Sequence, residues 1–248
     1  EDLRDGTRLA CQCRIDRNLT VEVPETSLLA STYQILGSHS AEAAKSVDPP
    51  VWKQYVELPL PTRQDDVPDL DRLQRVLGPV RADLSLLREL PGRLRAYGFK
   101  GTAVVSDDRL IDFEEGNTEQ ECYAVAFDIG TTTLVAVLLN LSTGQECGSV
   151  SRINPQTSYG DDVLSRILYA RDTPGGLERI RRELLEAVDA MIGELAAQAE
   201  IPRERIYEAT FSGNTTMQTL LLGINPAPLG ESPFAAAWRD GLTLPAGD

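Results

Sequence analysis

The stretch Ala126-Phe127-Asp128-Ile129-Gly130-Thr131-Thr132-Thr133 decides how the rest of the chain is read. An apolar strand ends in a carboxylate, a glycine and three hydroxyl side chains follow, and a second apolar strand begins at once. Working outward, strands are predicted at 122–127, 134–140 and 145–151, the last two joined by Ser142-Thr143-Gly144, which makes an antiparallel meander. A helix is predicted at 161–171, with Val163, Leu164, Ile167 and Leu168 on one face, and a longer one from 174 to 199 with Pro174 in its first turn. A strand at 206–212 follows, then a helix capped by Asn214 or Thr215 and stopped by Gly223. The element order is β-β-β-α-β-α, a mixed α/β architecture.

The glycine and hydroxyls carry the chemistry. Gly130 lets backbone N–H groups approach an anion, Thr131, Thr132 and Thr133 add donors, and Asp128 is placed to hold Mg²⁺ through water. An ordinary polar hairpin turn needs none of that pattern. Gly213-Asn214-Thr215-Thr216 ends a strand and opens a helix, which puts free N–H groups and small polar side chains where an anion or a nucleophilic water sits. For 154–162, a place near the ligand and a loop capping the next helix are equally good readings.

Upstream, Leu70, Leu73, Val76 and Leu77 have helical spacing, and Leu84, Leu87, Leu90 and Leu94 suggest two short helical pieces meeting at Pro91. Strands at 101–106 and 109–113 complete a small αβ unit over 69–118, too small to stand alone. The proline-punctuated stretch 24–68 reads as a linker holding short extended pieces such as 51–59, and Asp65-Asp66 as a solvated pair within it. The second unit is expected to run over 119–248.

Composition narrows the partners. With 24 Lys+Arg against 38 Asp+Glu in 248 residues, a net charge of −14 repels nucleic acid and anionic membrane surfaces, so a phosphate ligand must be held by local geometry. The longest apolar run, 133–141, is far short of the roughly 20 residues a membrane span needs. Four cysteines (Cys11, Cys13, Cys122, Cys147) without a leader fit a reducing cytoplasm, and a start at Glu1 reads as a piece of a longer protein. His39, the single histidine, has no ligand at metal-binding spacing, and the charges of 178–186 read as the wet face of the long helix.

The loop at 128–133 and the strand order around it resemble the first phosphate loop of the actin, Hsp70 and sugar-kinase (ASKHA) superfamily, whose ribonuclease H-like halves hold ATP between them. The second half, with the adenosine-contacting segment, is expected outside this chain. Two further stretches, Asn154-Pro155-Gln156-Thr157-Ser158-Tyr159-Gly160-Asp161-Asp162-Val163-Leu164-Ser165-Arg166-Ile167 and Phe211-Ser212-Gly213-Asn214-Thr215-Thr216-Met217, resemble the ATP-dependent reductive activators of corrinoid proteins. Gly6-Thr7-Arg8-Leu9-Ala10-Cys11-Gln12 is similar to the last-ligand segment of the plant-type ferredoxin domain with which those activators begin.

The resemblance implies reduction of a Co(II) corrinoid on a methyl-transferring partner protein to Co(I), with MgATP and a 2Fe-2S cluster as cofactors. It implies Cys11 as one cluster ligand, the other three lying upstream in a 1–23 ferredoxin-like remnant, so this chain alone is not expected to assemble the cluster. It further implies Asp128 as the catalytic and Mg²⁺ residue, with Gly130, Thr131, Thr132, Thr133, Gly213, Asn214 and Thr215 binding the nucleotide. An upstream electron donor and a homodimer belong to the same expectation. Two alternatives remain: a small-molecule kinase using Asp161 or Asp162 as base, and a non-catalytic nucleotide-sensing module.

Overall fold

The computed structural model describes residues 49–246. The expectations for 1–23, Cys11, Cys13 and His39 lie outside the described residues.

Two four-stranded sheets form the framework. The first has the order β1-β3-β4-β2, from β1 (Val51–Glu57), β2 (Arg81–Ala82), β3 (Lys100–Ser106) and β4 (Arg109–Glu115). Strands β1, β3 and β4 run antiparallel, and β2 adds parallel to β4. Helices α1 (Asp69–Leu77) and α2 (Leu84–Ala96) cover one face, burying Leu73, Leu86, Leu90 and Leu94 against Ala103, Val105, Leu110 and Phe113. Every residue of 101–105 is buried, because the sheet's other face also packs: Val51 and Val104 meet Cys122, with Ile111, Leu141 and Tyr207 around them.

Two expectations change here. The segment 51–57, expected as an extended piece, is extended and pairs along its length with β3. Pro91 lies inside a single helix, α2, whose buried stripe Leu86, Leu90, Leu94 runs through it; burial of that stripe outweighs the lost amide donor. Leu84 and Leu87 fall off the stripe and are exposed. Asp65 is not a free solvated carboxylate: Arg72, 2% exposed, donates to it at 2.6 Å.

The second sheet has the order β7-β6-β5-β8, from β5 (Tyr123–Ile129), β6 (Thr133–Asn140), β7 (Glu146–Ile153) and β8 (Ile206–Gly213). The first three form the expected antiparallel meander, and β8 joins parallel to β5. This is the strand pattern of an ASKHA half-domain. Helix α4 (Gly176–Gln198) lies across one face and buries Ile180, Leu184, Val188, Met191 and Leu195 at helical spacing. Each such side chain stabilises by about 2 kcal/mol before ordering entropy is subtracted, which explains why this stripe fixes the layer. The short helix α5 (Thr215–Leu221) adds Met217, Leu220 and Leu221 to the same core. Helix α4 starts at Gly176 with Gly175 before it in a left-handed conformation (φ 68°), so Pro174 precedes the helix instead of occupying its first turn.

Helix α3 (Val163–Asp172) turns differently from its apolar pattern. Ile167 is buried, but so is Arg166, while Leu164 and Leu168 are 50% and 39% exposed. The reason is polar and lies in the site.

The two sheets meet over a buried ion network. Lys53 Nζ on β1 donates to Glu114 Oε2 at 2.9 Å and Oε1 at 3.1 Å and to the Glu121 carbonyl at 2.7 Å. Arg205, just before β8, and the Thr118 hydroxyl also bond Glu114. Beside it, burial pushes the Cys122 thiol up to about 11, against a smaller lowering from Lys53. Cys122 is buried just ahead of β5 and Cys147 half-buried on β7, both as free thiols.

Candidate functional site

Strand pairing brings the two glycine segments together. In the β5–β8 register Asp128 lies beside Ser212 and Ile129 beside Gly213, so the tip 130–132 and the β8–α5 turn leave the sheet at neighbouring strand ends. Phe127, Ile129 and the stacked Phe211 point to the core, which leaves Asp128 and Ser212 exposed on the opposite face.

Both glycines are required sterically. A Cβ on Gly130 would stand 2.6 Å from the Thr133 carbonyl oxygen, to which the Gly130 amide bonds at 3.0 Å. On Gly213 it would stand 2.9 Å from the Ile129 carbonyl oxygen. Asn214, not Thr215, caps α5: its Oδ1 accepts from the Met217 amide at 3.0 Å.

The tip's carbonyls are all taken from within. Asn154 Nδ2 donates to Gly130 O at 2.8 Å, Arg166 Nη2 to Thr131 O at 2.5 Å, and the Asn154 amide to Thr132 O at 2.8 Å. Asn154 and Arg166 are both fully buried. Because C=O and the following N–H point in opposite directions across a trans peptide, the amides of Thr131 and Thr132 turn away from these holders, while that of Thr133 faces across the hairpin toward β5. Backbone amides free of internal carbonyls at a strand end suit an anion, and the exposed Asp128 carboxylate beside them suits a hydrated Mg²⁺.

The segment 154–162 combines both of its sequence readings. Asn154 caps the 3-10 turn Pro155–Tyr159 through Gln156 N at 2.9 Å while holding the tip, and Asp162 caps α3 through Ser165 N at 2.7 Å. The Ser165 N–H bond holds the Asp162 carboxyl below its ordinary value, which suits a cap and opposes use as a kinase base. Arg166 also donates from Nε to Gly160 O at 3.0 Å and from Nη1 to Met217 Sδ at 3.3 Å. Burial lowers its guanidinium's pKa, partly opposed by Asp161 and Asp162.

Thus the structure gathers Asp128, Gly130, Thr131, Thr132, Thr133, Gly213, Asn214 and Thr215 at one end of the sheet. Sequence reasoning missed the holders Asn154 and Arg166. A fully polar residue inside α3's apolar run was the only available signal for Arg166. Among the described residues no cluster of His, Cys, Asp and Glu is arranged to hold a metal by itself, and no helix is long and apolar enough to cross a membrane.

A family model described as the RACo middle region matches residues 123–248, and one described as the RACo linker region matches 40–120. The chain belongs to the RACo family. It is 34% identical over 180 residues to "Corrinoid activation enzyme RamQ" of Eubacterium limosum, covering 71% of this chain and 30% of that protein. The solved structure titled "Reductive activator for corrinoid,iron-sulfur protein" aligns with a TM-score of 0.69 at 33% identity, covering 78% of this chain and 32% of that one. The chain therefore spans less than a third of each RACo relative. The linker match, 40–120, includes β1 through β4.

Proposed function

We propose that this chain is the nucleotide-phosphate half of an ATP-dependent reductive activator, which passes one electron to a Co(II) corrinoid on a partner protein and yields Co(I). The observation that carries this reading is the tip 130–132, its three carbonyls held from within by Asn154 and Arg166, set beside Gly213 and the Asn214-capped turn in a RACo chain. In this reading Thr131, Thr132 and Thr133 bind phosphate oxygens through amides and hydroxyls, Asp128 orients Mg²⁺ through water, and Gly213, Asn214 and Thr215 border the same cleft. MgATP, when bound, supplies differential binding energy between conformers, which is the means by which it would favour an otherwise uphill reduction.

The electron would come from a 2Fe-2S cluster of the longer protein, with Cys11 as one ligand, fed by an upstream donor. A corrinoid protein as partner, a homodimeric assembly and a cytoplasmic location complete the proposal.

The test mixes the full-length protein anaerobically with a Co(II) corrinoid protein and a reductant, and follows Co(I) absorbance. Co(I) is expected only with MgATP, and Asp128→Ala is expected to abolish it. ATP consumption with phosphorylation of a small molecule and no change at cobalt would instead establish a kinase. Nucleotide binding with neither turnover nor cobalt reduction would establish a sensing module.

A further inference from the structure

Arg166 stands out as a buried charge without a carboxylate. It is fully buried, and among the described residues it forms no ion pair: its partners are the Gly160 and Thr131 carbonyls and the Met217 thioether. A guanidinium removed from water with only neutral acceptors is costly to keep, and an apolar side chain would suit the core of α3 better. Its position explains its retention. Arg166 bonds the middle carbonyl of the tip, and Asn154 bonds the carbonyls on either side.

Met217 extends this joint to the second segment. Its sulfur accepts from Arg166 Nη1 at 3.3 Å and lies 3.8 Å from Asn154 Nδ2, while its own amide is held by Asn214. One buried cluster, Asn154–Arg166–Met217, therefore fixes the 130–132 tip and the 213–215 turn relative to each other.

We propose that Arg166 is a positioning residue of the phosphate site: it holds the tip through the Thr131 carbonyl and places a buried positive charge behind it, so that the site prefers a polyphosphate over an uncharged nucleoside. This rests on the phosphate reading above. Asn154 shares the holding role without the charge.

The experiment uses the full-length protein and titration calorimetry with two probes, MgATP and adenosine, on the wild type, Asp128→Asn, Arg166→Met and Arg166→Lys. Hydrogen bonds to charged groups are worth about 1.5–3 kcal/mol, so Arg166→Met is expected to weaken MgATP by roughly 10- to 150-fold. Adenosine, which has no phosphate, is expected to change by less than about threefold, because the uncharged nucleoside gains nothing from the charge. Arg166→Lys keeps the charge but not the fork that spans Gly160 O and Thr131 O, so an intermediate MgATP loss of about 3- to 10-fold with unchanged adenosine binding is expected. The Lys variant also carries the test if the Met variant does not fold.

Equal losses for both probes would show a merely structural arginine and overturn the proposal, as would unchanged MgATP affinity. If the Arg166 variants bind normally while Asp128→Asn does not, the phosphate reading survives and only this inference falls. If the wild type binds no MgATP, both fall.

Discussion

Replacing Lys53 by Met tests whether β1 belongs to the folded body. Lys53 and Glu114 side chains are 1% and 3% exposed, with Nζ and Oε2 2.9 Å apart. The substitution strips Glu114 of one of its two cations and removes the donor to the Glu121 carbonyl, while Arg205 and Thr118 stay on Glu114. Breaking a buried pair costs about 3–5 kcal/mol, and the remaining partners place this case near 3 kcal/mol. For a unit of roughly 200 residues the unfolding entropy is about 0.4 kcal/mol per degree, so Tm should fall by about 7 °C. Circular dichroism melts of wild type and Lys53→Met, repeated with Glu114→Gln and the double variant, give the size and the coupling. A fall below about 2 °C, or additive effects in the double variant, would refute the reasoning, because either result means that water already screens the pair.

Three further outcomes follow from the geometry. Gly130→Ala should abolish MgATP binding in a protein that still folds, since a Cβ 2.6 Å from a backbone oxygen forces the tip open; calorimetry beside a melting curve separates the two effects. Cys122, with its thiol pushed up to about 11 by burial, should resist alkylation at pH 8 in the native state and react on unfolding, as read by peptide mass spectrometry. The cap carboxylate of Asp162 is held below its ordinary aspartate value of 3.8, so its contribution is fully present above about pH 4 and lost as pH falls through the lowered value. The stability gap between wild type and Asp162→Ala should therefore shrink in urea melts below pH 4.

The meander, β8 and the two glycine turns were legible because period-2 apolar runs were interrupted by residues with few other uses: Asp128-Ile129-Gly130 and Gly213-Asn214. Strand β1 was legible only as an extended piece, since its partner β3 lies more than 40 residues on, a pairing no local pattern reports. Arg166 was hidden by the rule that arginine faces water, and counting apolar residues put Leu164 and Leu168 inward in its place. The Gly160 and Thr131 carbonyls reverse that rule, and the second comes within reach only once the hairpin tip has packed against α3. For Asn154 the local pattern offers cap or ligand neighbour, and its bond to the tip carbonyl depends on the same tertiary approach.

A bound phosphate would mark the amides of the tip and the turn most directly. Hydrogen exchange of the full-length protein, measured with and without MgATP, should show peptides covering 129–134 and 212–218 gaining protection together at nucleotide saturation. Bound MgATP that protects other regions and leaves both of these unchanged would contradict the phosphate reading.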